Sequence, residues 1–175
     1  MQGLMQDVDL TTNWIFNRGG RYFGTKTVVT NTGDGLQTST FADVQDHARK
    51  IAAALDTFGI SAGGRVATFA WNSSRHLELY FAPPCSGRVA HTLNVRLFPE
   101  QLTYVVNHAE DEVIFVDRSI AALLWPLIPS FSTVKHIVVM DDGVGAMPDT
   151  PIGPAVHDYE ELLAAASPIE FVGPS

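Results

Sequence analysis

Histidines and a single cysteine are the side chains in this sequence with the most obvious capacity for chemistry. The six histidines lie at positions 47, 76, 91, 108, 136 and 157, and none shows the spacing of a His-Glu-x-x-His metal helix. The stretch from His108 to Asp111 combines a histidine with two carboxylates. Because this pattern is also typical of a helix end followed by a polar turn, we predict no metal site there.

Cys85 lies between two small residues, Pro84 and Ser86. A thiol beside a histidine can act as a nucleophile, but a lone cysteine in a proline-kinked helix is more often a packing residue. The sequence also lacks the Gly-x-Gly-x-x-Gly and Gly-x-x-x-x-Gly-Lys-Ser/Thr phosphate loops and the Gly-x-Ser-x-Gly elbow. We therefore predict no catalytic residue in this chain.

The composition limits the classes of partner. The 175 residues carry 11 Lys and Arg against 19 Asp and Glu, a net charge of −8, which disfavours binding to a nucleic-acid backbone. Hydrophobic residues make up 46%, which argues against disorder. Charged residues make up only 17%, below the roughly 25% of soluble domains. We infer that something else normally covers part of the surface.

Cellular location is predicted from three features. Met1 to Asp9 carries two aspartates and no cation, unlike a secretory signal. No run of 18 apolar residues is present, so no transmembrane segment is expected. One cysteine cannot form an internal disulfide, which fits a reducing compartment. These features together predict a cytoplasmic protein.

Hydrophobic spacing predicts an α/β fold. Continuous apolar runs at Arg65–Trp71, Val113–Val116 and His136–Met140 are typical of parallel strands covered on both faces. A fourth strand is predicted at Val89–Leu93. The fold class is thus a mostly parallel sheet flanked by helices, with a small N-terminal hairpin around Asn31–Gly35.

Helices are predicted between and around these strands. They begin or end at capping residues, prolines or glycines: Thr11–Tyr22, weakened by Gly19-Gly20; Phe41–Phe58, capped by Thr40 and Asp43; Asn72–Phe81 or beyond, bent or ended by Pro83-Pro84; Pro99–His108; Arg118–Leu127; and Asp158–Ala166. Residues 141–157 are predicted to be a surface loop.

The end of the first long strand is a candidate binding site. In an open α/β sheet, the loops at the carboxyl ends of the strands line the ligand crevice. Trp71, Asn72 and His76 occupy that place in the predicted order. Helix capping by Asn72, and packing by the two rings, are the competing interpretations.

Several strings resemble one enzyme family. They are Arg65-Val-Ala-Thr-Phe-Ala-Trp-Asn, Arg75-His-Leu-Glu-Leu-Tyr-Phe-Ala, His91-Thr-Leu-Asn-Val-Arg-Leu, Asn107-His-Ala-Glu-Asp and Val138-Val-Met-Asp-Asp. They closely resemble the N-terminal part of long- and medium-chain fatty-acid–CoA ligases, within the adenylate-forming, AMP-binding superfamily of acyl-CoA synthetases. The chain departs from the family at Val95, where proline is common, at the pair Pro83-Pro84, and at Gly64, where aspartate is frequent.

The resemblance implies that residues 1–175 form a single, incomplete N-terminal subdomain of the adenylate-forming ligase fold. The family makes acyl-CoA from fatty acid, ATP and CoA through an acyl-adenylate, with Mg²⁺. Its phosphate loop, its Tyr-Gly-x-Thr-Glu segment and its catalytic lysine are absent from this sequence. We therefore expect the fragment alone to be inactive and to bind no cofactor. The remainder of the ligase is the expected partner, with a homodimer as a second partner.

The resemblance also suggests which residues contact other parts of the ligase. The expected acyl-tunnel wall or subdomain contact consists of Trp71, Asn72, His76, His91, Asn94 and Arg96. Two alternatives stay open: a non-enzymatic module that associates with itself or with a full-length ligase, and a complete small binding domain.

Overall fold

A five-stranded parallel sheet forms the centre of the computed structural model, which describes residues 3–4, 9–33, 35–146 and 153–171. An antiparallel hairpin precedes it. In chain order the hairpin strands are β1 (Thr27–Thr32) and β2 (Gly35–Thr40), and the sheet strands are β3 (Arg65–Phe69), β4 (Val89–Thr92), β5 (Asp111–Asp117), β6 (His136–Met140) and β7 (Ala155–Asp158). The spatial order of the sheet is β4-β3-β5-β6-β7. The predicted α/β class and hairpin are confirmed.

Helices cover both faces of this sheet. Within the described residues they are α1 (Thr12–Phe23), α2 (Phe41–Thr57), α3 (Ser74–Cys85), α4 (Pro99–Ala109), α5 (Ala121–Leu124) and α6 (Tyr159–Ala165). Side chains of α1, α2, α3 and α6 pack on one face, in a cluster that includes Ile51 and Leu79. Side chains of α4 and α5 pack on the other, in a cluster that includes Val106 and Leu124. No helix of the described chain is both long and apolar enough to cross a bilayer.

The capping box predicted at the start of α2 is present. The Thr40 hydroxyl accepts a hydrogen bond from the Asp43 N–H at 3.2 Å, and the Asp43 carboxylate accepts one from the Thr40 N–H at 2.8 Å. Both donors would otherwise lack an intrahelical partner. The box fixes the start of the helix that carries Ala48, Ile51 and Leu55 into the core.

Helix α1 continues through Gly19-Gly20, where the sequence predicts weakening. A Cβ atom on Gly20 would lie 1.6 Å from the Gln45 Oε1 atom of α2. The Gln45 amide meanwhile donates to the Phe16 carbonyl oxygen at 2.5 Å. The absence of a side chain at Gly20 therefore allows α1 to approach α2 closely.

Two predicted elements are wrong in part. The predicted loop at 141–157 ends early, because residues 155–157 belong to β7; residues 147–152 lie outside the described chain. The predicted helix Arg118–Leu127 is instead the short helix α5 between 3₁₀ turns at Arg118–Ile120 and Trp125–Ser130. Pro126 and Pro129 lack the N–H that a continuing α-helix needs, and this explains the second turn.

The proline pair near the end of α3 lies inside the helix, one residue short of its last residue, Cys85. Prolines at 83 and 84 cannot donate to the carbonyl oxygens of Leu79 and Tyr80. The helix ends immediately afterwards, as the sequence predicts. The Ser86 N–H then closes the turn on the carbonyl oxygens of Ala82 and Pro83.

Replacing the capping residue of α2 should destabilise the fold. We expect Thr40→Ala to lower the free energy of unfolding by about 1 kcal/mol, because the Asp43 N–H loses its acceptor. The control Thr57→Ala removes the same atoms from the exposed end of α2 and should change it by less than about 0.5 kcal/mol. Urea denaturation of both variants measures the difference, and equal losses would contradict the capping role.

Candidate functional site

A crevice of about 350 Å³ opens at the carboxyl edge of the sheet, beside the hairpin. It lies where β3, β5 and β6 end, the place at which open parallel sheets usually bind ligands. Thr30, Asn31 and Thr32 of β1 line its hairpin side. The other polar, charged and aromatic side chains come from these three strand ends and from α3: Trp71, Asn72, Arg75, Asp117, Ser119 and Asp142.

Asp117, the last residue of β5, is the buried acid of the crevice. Only 2% of it is exposed, and its carboxylate accepts a hydrogen bond from the Trp71 N–H at 2.6 Å. The pKa of Asp117 is raised to about 6, mainly by burial and also by the nearby Asp142 carboxylate, while the Trp71 hydrogen bond and Arg75 oppose the shift. Asp117 thus joins the end of β5 to the loop that follows β3.

Trp71 is fixed through its side chain as well as its backbone. Its indole N–H donates to the Ser119 hydroxyl oxygen at 3.1 Å. The Ser119 hydroxyl in turn donates to the Asp142 carboxylate, and the Ser119 N–H donates to the same carboxylate at 3.2 Å. These bonds join the loops after β3, β5 and β6, and leave the indole face half-exposed in the crevice.

His76 supports the crevice from behind. Its Nδ1 lies 3.0 Å from the Trp71 carbonyl oxygen and its Nε2 lies 2.9 Å from the Thr68 hydroxyl. A carbonyl oxygen only accepts, so Nδ1 carries the proton and Nε2 accepts from Thr68. Burial lowers the pKa of His76, which keeps the ring neutral. The residue therefore orients Trp71.

The other three predicted residues lie away from the crevice. On β4, the Nδ1 of His91 lies 2.9 Å from both carboxylate oxygens of Asp111, whose pKa is raised by burial. Asn94 and Arg96 are exposed in the turn after β4, where the Asn94 side-chain oxygen accepts from the Arg96 N–H at 3.0 Å. Of the six candidates, the structure brings Trp71 and Asn72 together.

Four of these six crevice residues are absent from the predicted set: Arg75, Asp117, Ser119 and Asp142. Asp117 and Asp142 carry a readable signal, because each is an aspartate that follows or ends a buried apolar strand. Ser119 has none, since its role depends on the turn that brings it between Trp71 and Asp142.

Cys85, the candidate nucleophile, is a packing residue. Cys85 is buried, and burial raises the pKa of its thiol to about 12, which removes the thiolate that a nucleophile needs. Among the residues that the structure describes, no three His, Cys, Asp or Glu side chains lie close enough to hold a metal ion. The crevice offers hydrogen bonds, an aromatic face and two carboxylates, which suit contact with a polar surface.

Comparison with known proteins identifies the family of the chain. The model of the AMP-binding enzyme family matches residues 16–167. The chain belongs to this AMP-binding enzyme family. The match includes the whole parallel sheet and the crevice.

Several relatives of the chain are CoA ligases. The 3-methylmercaptopropionyl-CoA ligase of Ruegeria lacuscaerulensis is 38% identical over 168 residues, which cover 93% of this chain and 30% of the relative. The long-chain-fatty-acid–CoA ligase of Thermus thermophilus is 40% identical over 139 residues, which cover 79% of this chain and 26% of the relative. The chain thus spans less than a third of the length of these relatives.

A solved structure shows the same fold. An anthranilate CoA ligase in complex with anthranoyl-AMP superposes with a TM-score of 0.79 at 21% identity, covering 96% of this chain and 31% of that one. The likeness confirms the predicted N-terminal portion of the adenylate-forming ligase fold. The crevice of the chain thus lies within a known architecture.

The buried acid of the crevice should make stability depend on pH. An acid whose pKa is raised in the folded state binds its proton more tightly there, so stability falls as pH rises from about 4 to about 6. We expect Asp117→Asn to remove this dependence, and its stability relative to the parent chain should rise by up to about 3 kcal/mol between pH 4 and pH 7.

Denaturant unfolding at both pH values measures this difference. Thr57→Ala removes no titratable group from the exposed end of α2 and provides the control, and its stability relative to the parent chain should not change with pH. A constant difference between Asp117→Asn and the parent chain would show that the pKa of Asp117 is not raised.

Proposed function

We propose that the chain is the N-terminal subdomain of a ligase that joins an aliphatic carboxylic acid, of the fatty-acid class, to CoA. The reaction consumes ATP with Mg²⁺ and passes through an acyl-adenylate. The observation that carries the proposal is the family match over residues 16–167, together with CoA ligases at 38 and 40% identity.

The chemistry itself belongs to the remainder of such a ligase. Transfer of an adenylyl group needs cations and backbone N–H groups around the phosphates. The crevice instead presents the Asp142 carboxylate above the buried Asp117, and the Arg75 guanidinium in its lining is already paired with Glu160, so it attracts a phosphate little. We therefore expect the 175-residue chain to be inactive alone and to bind ATP weakly or not at all.

For the crevice, we favour a contact with the next part of the ligase over a wall of the acyl tunnel. An alkyl chain leaves polar groups without hydrogen-bond partners, and burying them in this way is costly. Trp71 lies beside Asn72, Ser119 and Asp142. Ser119 and Asp142 bond to each other, but the Asn72 amide and the remaining acceptor capacity of the Asp142 carboxylate would lose water without replacement. A polar protein surface can supply partners for both. His76 then acts as a positioning residue through its bond to the Trp71 carbonyl oxygen. His91 pairs with Asp111 away from the crevice, and the exposed Asn94 and Arg96 are candidates for a separate contact with the rest of the ligase.

The size of the native product and its activity test this proposal. An antibody against this region should detect one band much larger than 19.0 kDa in the host lysate. The purified larger protein should form acyl-CoA from ATP, CoA and aliphatic acids, while the 175-residue chain should show no activity and no ATP binding by calorimetry. A band at 19.0 kDa would favour a non-enzymatic interaction module, and stoichiometric tight binding of ATP by the short chain would favour a complete binding domain.

Replacing Trp71 distinguishes a contact with the next part of the ligase from a wall of the acyl tunnel. In the full-length product we expect Trp71→Ala to lower the free energy of unfolding by about 2 to 4 kcal/mol, because a covered indole is lost. The loss should be smaller in the 175-residue chain, where Trp71 is half-exposed. The ratio of kcat/KM for short and long acids should stay unchanged.

The matched control for this substitution is Tyr104→Ala on the exposed side of α4, which should change stability by less than about 0.5 kcal/mol. Thermal unfolding and acyl-CoA assays with acids of increasing length measure both effects. A shifted chain-length preference with unchanged stability would assign Trp71 to the tunnel wall.

A further inference from the structure

Helix α1 exposes an unusual surface. The side that packs on the core carries the buried Phe16, while Trp14, Ile15 and Tyr22 point outward, with 54, 68 and 61% of each exposed. Arg18 and Arg21 are exposed among them. We call these five residues the outer face of α1. Large apolar and aromatic side chains at this exposure normally mark a surface that binds something.

The charge of this region is opposite to that of the whole chain. Residues 10–33 contain three cations, Arg18, Arg21 and Lys26, and no carboxylate, whereas the chain has a net charge of −8. Among the described residues, none of the three cations forms an ion pair. The two guanidinium groups lie instead over aromatic rings: Arg18 is 5.5 Å and Arg21 is 5.4 Å from the centre of the Tyr22 ring.

This combination matches the chemistry of an anionic bilayer surface. Trp and Tyr rings prefer the boundary between acyl chains and head groups, since they have an apolar body and a polar tip. Arginine beside them can pair with lipid phosphates while its stem stays in apolar surroundings. A helix face that combines such rings and cations can lie against the interface, while the opposite side of α1 packs on the core through Phe16. We propose that the outer face of α1 docks this protein on anionic lipid surfaces.

A second copy of the chain fits this face less well. A two-fold contact centred on the outer face would bring its two cations close to those of the other copy, and none of the five residues of this face carries a carboxylate to compensate. An anionic membrane supplies the missing negative charge. Binding of the outer face of α1 to lipid is independent of ligase activity.

Vesicle flotation of the protein that the native reading frame encodes tests the proposal. We expect it to float with vesicles of phosphatidylcholine and phosphatidylglycerol at low salt, and to float much less with phosphatidylcholine alone or at high salt. The double variant Arg18→Gln/Arg21→Gln should reduce the partition coefficient by about 30-fold, since each cation near an anionic surface contributes about a factor of five.

The control variant removes an aromatic ring and a cation elsewhere on the surface. Tyr104→Ala/Lys135→Ala affects exposed residues of α4 and of the turn before β6, and it should leave the partition coefficient unchanged. Circular dichroism should show that both double variants are folded.

A second measurement reports on Trp14 directly. Brominated lipids should quench tryptophan fluorescence of the parent protein more than that of Trp14→Phe, because the indole enters the interface. Absence of flotation with anionic vesicles, equal loss of binding in the control variant, or quenching that is the same in Trp14→Phe would each overturn the proposal. A change of oligomeric state in Arg18→Gln/Arg21→Gln without any vesicle binding would show instead that the face binds protein.

Discussion

Coverage of the parallel sheet on both faces is the constraint on which the rest of the structure depends. The strands β3, β5 and β6 are almost wholly buried, so helices must lie on either side of them. The cluster that contains Ile51 and Leu79 fills one side, and the cluster that contains Val106 and Leu124 fills the other. With both faces covered, the polar groups that follow the strands meet at the carboxyl edge. The position of the crevice follows from this arrangement.

The buried Asp117 at the carboxyl edge is supported by the Trp71 N–H, and further hydrogen bonds hold Trp71 in place. Burying a carboxylate is unfavourable, and the raised pKa of Asp117 expresses that cost. The Trp71 N–H offsets part of it, while Ser119 ties the same tryptophan to Asp142. His76 fixes the Trp71 carbonyl from below. The loops are thus held in one arrangement by mutual bonds, which leaves the indole face free for an external contact.

Much of the fold is predictable from the sequence because its signals are local. Apolar runs mark β3, β5 and β6, and the spacing Thr40 to Asp43 marks the start of α2. The strand β7 escapes prediction, since Ala155–Asp158 is short, mixed in polarity and defined by pairing with β6. For the site, residues next to strand ends are predictable, as Trp71 and Asn72 are. Ser119 and the pairing of His91 with Asp111 depend on tertiary contacts between distant segments, which no local pattern encodes.

The few charged residues of the chain are distributed unevenly between two exposed surfaces. The crevice places two carboxylates beside the exposed face of Trp71, whereas the outer face of α1 places two arginines beside Trp14 and Tyr22. The two linings differ, because the crevice combines its carboxylates with the Arg75 guanidinium, whereas the outer face of α1 carries cations without a carboxylate. The polar lining of the crevice favours a protein contact with donors of its own. The unpaired cations and amphipathic rings of α1 favour an anionic lipid surface.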